Sequence, residues 1–299
     1  MAATTSELVF HFPVGATPTK IPKLLQTLAY AETPIQTAEE LDDTTFAQNT
    51  DTTRFGDARR LAEIVLGLIE SIKDDGLHLT QHAHVILKKR ESIQYDLLHY
   101  LFYTAWSADE PARHTRSWFY RAICDNLWGM QEVILDSTMR QNFTQELDGQ
   151  IRLEFQHVPG FSEKLSLGIQ TMNGATEWLR HLLPAVIASP DKEEEKFHQS
   201  VSKGEEKFHR RATCSPELFL LALSRSYQLS NAEIGVDMLI SPQRRDEISR
   251  ICLLNPLEFD RMLDWMLPVY PQFISQGTRA GSYGRFVRLH RFVTVENFA

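Results

Sequence analysis

The chain has 299 residues, 42% hydrophobic and 23% charged, enough for two or three modest domains with real cores. Its 31 Lys and Arg against 39 Asp and Glu give a formal net charge of −8, which argues against a protein that coats nucleic acid over its whole surface and confines any such footprint to a local patch. Cys124, Cys214 and Cys252 are odd in number, far apart and without C-x-x-C spacing, so neither a disulfide framework nor a zinc knuckle is expected, and a reducing cytoplasm suits them. Met1 to Glu7 has no basic region followed by an apolar core, and no later stretch has the apolar length of a membrane span. The expectation is an untargeted, cytoplasmic protein with no membrane contact.

Leu8-Val9-Phe10-His11-Phe12 is β-leaning and is stopped by Pro13 and Gly15, as in a short edge strand. Thr17-Pro18 then opens a helix in which Ile21, Leu24, Leu25 and Leu28 repeat at i, i+3, i+4, i+7 and form a core face. Thr37, with Glu40 three residues on, caps a second helix expected to fade near Asp42-Asp43, and a polar connector runs from Thr44 to Thr53. Asp57 to Glu70 reads as a third helix with Leu61, Ile64, Val65, Leu68 and Ile69 inward. Arg54, Arg59 and Arg60 fall near its start and outer face. Asp74-Asp75-Gly76 makes a turn, Leu77 to Thr80 a short strand, and Lys88, Lys89 and Arg90 a basic end.

This order of three helices, a D-G turn and a Leu-x-Leu-Thr strand, over Thr17 to Arg90, resembles the winged helix-turn-helix superfamily at the level of pattern. The resemblance implies a DNA-binding fold. The connector before the third helix is longer than the tight turn usual in that motif.

The middle of the chain reads as helix throughout. Ser92 to Trp106 leaves little polar face and should be a buried strut, and Thr115 to Trp128 is an aromatic-heavy helix ended by Gly129. Such stripes at helical spacing belong to a core more often than to a base-stacking platform. Gln131 to Phe155 adds helical signal, and a pair of helices is expected between Ser162 and Ile187. Glu194-Glu195-Lys196-Phe197-His198 is then echoed by Glu205-Glu206-Lys207-Phe208-His209 in a segment poor in apolar residues. This predicts a solvated linker or exposed helix over Ser189 to Thr213.

Beyond it, Ser215-Pro216, Ser241-Pro242 and Asn255-Pro256 each set a cap residue before a proline and mark helix starts. A smaller helix is expected from Asn231, with Ile234, Met238 and Leu239 as its apolar side. After the Asn255 helix, three glycines in Gln276 to Gly284 make a turn, and Arg285 to Val295 alternates Val287, Leu289, Val293 and Val295 with Phe286, Arg288, His290 and Phe292. Helices followed by a hairpin, from about Ser215 to Val295, again resemble a winged helix. No acid lies between Asp264 and Glu296, while Arg279, Arg285, Arg288 and Arg291 do. Arginines beside Tyr283 and Phe286 in a glycine-rich loop suit a phosphate backbone. The same features also suit a protein interface, where arginine is favoured.

His78, His82 and His84 lie within seven residues, but no carboxylate accompanies them at ligand spacing and HExxH is absent, so no metal site is expected. The repeated pentads are expected to be solvated rather than to bind an ion. No G-x-S-x-G, G-x-x-x-x-G-K-[ST] or strand-borne G-x-G-x-x-G occurs, and no cofactor is implied.

The expected architecture is mainly α. A winged-helix-like domain spans 1–91, a helical middle domain 92–188, a charged linker 189–213, and a C-terminal helical domain with a basic β-hairpin wing 214–299. The leading expectation is a non-enzymatic DNA-binding protein, a transcriptional regulator or the DNA-engaging subunit of a larger bacterial complex. It would contact duplex backbone or other nucleic acid through Arg279, Tyr283, Arg285, Arg288, His290 and Arg291, and through Arg54, Arg59, Arg60, Lys88, Lys89 and Arg90. The alternatives are an adaptor whose wings bind partner proteins, and a metal-dependent hydrolase or nuclease.

Overall fold

The computed structural model describes residues 8–13, 15–49, 54–164, 167–188, 206–277 and 284–299. The protein is mainly helical, with three small antiparallel sheets. Among the described residues, no helix is long and apolar enough to cross a membrane.

The N-terminal run, expected as a short edge strand, alternates, with Leu8, Phe10 and Phe12 buried, but among the described residues it joins no sheet. Phe10 packs edge-on against Phe155 at 4.8 Å and Trp118 at 6.0 Å, and Phe12 meets Phe102 at 5.4 Å. The period of two therefore reports an extended chain laid in a helical groove, with its aromatic rings doing the work a ladder would otherwise do.

Helices α1 (Lys20–Ala29) and α2 (Ala38–Gln48) follow. The Thr37 hydroxyl accepts from the Glu40 N–H at 3.1 Å, and the Glu40 carboxylate accepts from the Gln36 N–H at 2.8 Å. Buried Leu41 and Thr45 carry α2 past the point where it was expected to fade.

The third helix is shorter than the sequence suggested. It comprises α3 (Gly56–Arg60) and a π-helical turn (Leu61–Val65), and the chain reverses at Gly67, φ 60°. The Leu68 N–H closes the end by donating to the Ala62 carbonyl at 2.8 Å. Ile69, assigned to that helix from its spacing, instead begins β1 (Ile69–Ile72), which pairs with β2 (Gly76–Leu79).

Helices α4 (Gln81–Lys88), α5 (Glu91–Thr104) and α6 (Pro111–Met130) come next. α5 is buried on most sides, as its composition demanded. α6 runs through Gly129 and ends where Gln131 takes φ 68°. The helical signal from Gln131 resolves into β3 (Glu132–Leu135) and then α7 (Ser137–Phe155), capped by Asp136, which accepts from the Met139 N–H at 2.6 Å. Between 167 and 188 one helix forms rather than two. This is α8 (Ile169–Arg180), and the Leu182-Leu183-Pro184 run after it leads into β4 (Ile187–Ala188).

The linker expected over 189–213 is corrected for the part described. Glu206–His209 is β5, the central strand between β3 and β4. Phe208 is fully buried, and the Glu206 carboxylate accepts from Arg180 at 2.5 and 2.7 Å and also from Arg140. Burial alone would raise the Glu206 pKa, but the hydrogen bonds and charges of Arg180 and Arg140 outweigh it and hold the group below the usual carboxylate range. Arg211 and Cys214 are buried as well. The first pentad lies outside the described residues.

The last unit consists of α9 (Pro216–Leu229), β6 (Asp237–Leu239), α10 (Pro242–Ile251), a 3-10 turn (Pro256–Glu258), α11 (Phe259–Val269), β7 (Ile274–Gln276) and β8 (Phe286–Leu289). All three cap-proline pairs start helical turns. Ser215 Oγ accepts from the Leu218 N–H at 3.2 Å, Ser241 Oγ from Arg244 at 3.3 Å, and Asn255 Oδ1 from Leu257 at 3.1 Å. Met238 and Leu239, expected on a small helix, are in β6 because Gly235, φ 81°, redirects the chain and β8 offers a strand edge. The sheet order is β6-β8-β7.

A single buried cluster runs from Leu8 to Phe298. α5 packs on α9, α6 on α10, and the C-terminal 3-10 turn (Val295–Phe298) on α4.

Candidate functional site

The helix and hairpin after Asn255 carry the densest set of sequence candidates. α11 turns Phe259, Met262, Leu263 and Met266 into the core, on the i, i+3, i+4, i+7 face read from the sequence. Its opposite face, with the turn before it, presents Leu257 at 86% exposure, Arg261, Asp264, Trp265 at 46% and Val269 at 44%.

The return strand is shorter than the alternation over 285–295 implied. β8 stops at Leu289, and Phe286 is buried together with Val287 and Leu289. Tyr227 fixes this strand: its hydroxyl donates to the Val287 carbonyl at 2.6 Å and accepts from the Leu289 N–H at 3.2 Å. Val293 is then tied down by its N–H donating to Ser224 Oγ at 2.8 Å.

The wing arginines do not stand free. The Arg285 guanidinium donates to both carboxylate oxygens of Asp264 and, at 3.3 Å, to Asp260. The hydrogen bond to Asp264 holds the Arg285 pKa above its ordinary value, and the same bond holds Asp264 below the usual carboxylate range. Asp260 also receives Arg245 at 2.9 Å. Arg288 Nε donates to Asp237 at 2.9 Å, and Arg291 lies over the Phe273 ring at 4.4 Å. The His290 side chain is exposed, while its N–H is used by the Phe273 carbonyl at 2.8 Å. Arg279 and Tyr283 lie outside the described residues. The hairpin is free of acids in sequence, but Asp237, Asp260 and Asp264 reach it from β6 and α11. These three partners were missed, because a scan along the chain does not see across a sheet.

The N-terminal candidates divide. Arg54 pairs with Asp43 at 3.0 Å, and Arg59 with Asp42 at 3.3 Å and Glu63 at 2.8 Å. Arg60 is exposed. Lys88 ends α4, and Arg90 precedes α5, accepting at its carbonyl from the Gln94 N–H at 3.0 Å. The Lys89 carbonyl accepts from the Gln94 side chain at 2.9 Å. Among the described residues, no carboxylate lies within ion-pair distance of Lys88, Lys89 or Arg90.

The nearby histidines go separate ways. His78 meets Asp75 at 3.0 Å, His82 meets Glu296 at 3.8 Å, and His84 is exposed.

The arrangement thus offers two chemically distinct surfaces. The outer face of α11 mixes exposed Trp265 and Val269 with charged Arg261 and Asp264, and its aspartates are paired with Arg285 and Arg245. The α4–α5 junction is basic. No protein-family model, no curated protein and no solved structure matches this chain.

Proposed function

We propose that this protein is a non-enzymatic adaptor subunit and that its α11 face docks a partner protein. The observation that carries the reading is the exposed Trp265, one helical turn from Val269, with Leu257 exposed in the turn before the helix, and bordered by Asp264, held by Arg285, and Arg261, held by Glu258. Exposed tryptophan beside aliphatic residues with a satisfied polar border is the composition of a protein-binding hot spot. The order helix, strand, helix, helix, strand, strand from Pro216 to Leu289, with sheet order β6-β8-β7, supports a winged-helix reading of this unit. In that motif α11 is the helix that would approach a nucleic-acid groove. Here Asp260 and Asp264 on that helix engage Arg285 and Arg245, so phosphate would have to compete with carboxylates for these guanidiniums, which favours protein over DNA.

A second reading, a DNA-binding regulator or DNA-engaging subunit, is favoured by Lys88, Lys89 and Arg90, which have no carboxylate within ion-pair distance among the described residues.

The two readings separate by crosslinking in the native host. A photoreactive amino acid at position 265 is expected to yield a discrete protein adduct that Leu257→Asp abolishes. A nuclease-sensitive adduct at 265, or at 89 in a parallel variant, would favour the nucleic-acid reading instead.

A further inference from the structure

One group of guanidiniums in this acidic protein is only partly balanced by neighbouring acids, and it lines a cleft. The cleft has a volume of about 220 Å³ and lies where α5, α6, α9 and α10 meet, with Tyr103, Arg121, Arg225, Gln243, Glu247 and Arg250 in its wall. Arg121 is shared with Asp125 at 3.5 Å and lies over the Tyr103 ring at 5.7 Å. Arg225 reaches the Tyr100 hydroxyl. Arg250 lies over Trp128 at 5.2 Å, a ring that Arg210 also covers at 4.0 Å. Among the described residues, neither Arg225 nor Arg250 has a carboxylate within ion-pair distance. The acid in the wall, Glu247, accepts from Ser226 at 2.9 Å and is held there.

Three arginines therefore meet two carboxylates, Glu247 in the wall and Asp125 paired with Arg121, in a chain whose formal net charge is −8. Gathering like charges in a cleft is unfavourable unless something else balances them. Several arginines elsewhere in this fold are matched to acids: Arg285 to Asp264, Arg288 to Asp237, Arg59 to Asp42 and Glu63. Arg225 and Arg250 lack such a partner, and they line a concave site.

We propose that this cleft binds the phosphate group of a small phosphorylated ligand. A phosphate group carries enough negative charge to balance the excess, and its oxygens match the planar fork of guanidinium in bidentate contacts. The Gln243 amide adds a neutral donor of the kind that fixes orientation in such sites. Four helices from the middle and the C-terminal parts of the chain close on the ligand, so its binding stiffens the contact between them. The proposal does not rest on the adaptor reading.

Isothermal titration of the full chain at low ionic strength, with inorganic phosphate, pyrophosphate and citrate as probes, tests it. Saturable binding of phosphate or pyrophosphate at one site is expected, tighter than that of citrate. Arg225→Gln and Arg250→Gln should each weaken it by about tenfold or more, whereas Lys89→Gln should not change it. Arg250 is exposed, so its variant remains informative even if losing the Tyr100 contact unfolds Arg225→Gln. Absence of saturable binding up to about 10 mM probe, affinity unmoved by Arg250→Gln, or a preference for citrate over both phosphates would each overturn the assignment.

Discussion

Asp96 and Arg211, 115 positions apart in the chain, meet at 2.7 Å with both side chains withdrawn from solvent. Asp96 also accepts from the Ser215 N–H at 2.7 Å, and Arg211 Nε donates to the Cys252 carbonyl at 2.7 Å. α5, the segment after β5 and the end of α10 are thereby tied to one point. A buried ion pair contributes little net stability over an apolar replacement, yet removing one partner strands the other charge. Asp96→Ala or Arg211→Ala should therefore cost about 3 to 5 kcal/mol in denaturant unfolding. The double change Asp96→Ala, Arg211→Ala should cost less than the sum of the two single changes. An additive double variant would mean that the pair does not act as a unit.

His99 sits beside this pair. Its Nε2 donates to the Ile251 carbonyl at 2.8 Å, so Nδ1 accepts from the Tyr120 hydroxyl at 2.7 Å and the ring is neutral. Burial first, and then the Arg211 charge, push its pKa down from 6.5 to about 4. The unfolded chain thus binds a proton between these values that the fold refuses, and stability falls as pH drops from 6.5 toward about 4. The loss amounts to roughly 3 kcal/mol across that window. His99→Gln, which cannot titrate, should flatten the unfolding free energy over this range relative to the parent, and an unchanged slope would show that other groups set it.

The β1–β2 turn makes a sharper test of backbone geometry. Gly76 has φ 90°, and a Cβ there would lie 2.5 Å from the Ile35 carbonyl oxygen, which is already engaged by the Leu77 N–H at 2.9 Å. Gly76→Ala should cost about 1 to 3 kcal/mol. Gly149→Ala, inside α7 with open space around the new methyl, should instead stabilise by about 0.5 to 1 kcal/mol. Equal effects from the two changes would refute this account.

What could be read in the sequence was local. Thr37, Ser215, Ser241 and Asn255 cap where their spacing put them, and Asp74-Asp75-Gly76 turns the first hairpin. Partners distant in sequence could not be read this way. Glu206 looks like a solvated charge until Arg140 and Arg180 are brought to it, and Arg285 looks like a free cation until α11 supplies Asp260 and Asp264. The same limit hid the cleft around Arg250, whose lining comes from four helices. Leu68 and Ile69 fit a helical stripe equally well as a strand, and the choice fell to Gly67 and the pairing with Leu79.

The place of β5 in its sheet has a consequence for proteolysis. Lys207, Arg210 and Arg211 lie in or just after a central strand; Arg210 Nε donates to the Trp128 carbonyl at 2.8 Å, and Arg211 is buried. Trypsin should leave the bonds after these three residues intact under native conditions, since cutting there requires opening the sheet. Glu206→Ala, which removes the carboxylate that Arg140 and Arg180 share, should make them cleavable at protease levels the parent resists. Early cutting after Lys207 in the parent would contradict the strand.

The wing arginines give the test that bears most directly on function. Arg285 and Arg288 already have carboxylate partners on α11 and β6, and Arg291 covers Phe273. Phosphate would have to compete with Asp264 and Asp237 for these guanidiniums, so each contact would gain less than a free arginine provides. On the adaptor reading, duplex DNA binds weakly, and replacing Arg285, Arg288 and Arg291 together by Glu leaves its affinity and salt dependence nearly unchanged. The same triple variant places new acids beside Asp264 and Asp237 and should disturb the α11 face, weakening capture of the protein crosslinked at Trp265. If the wing instead tracks a phosphate backbone, the parent shows steep salt dependence, and the variant loses about 0.9 in the slope of log K against log salt for each contact removed. Fluorescence anisotropy with mixed-sequence duplex over a salt series measures both quantities. Circular dichroism on the same samples checks that the variant keeps its fold. A folded triple variant with a much shallower salt slope would favour the DNA-binding reading over the adaptor.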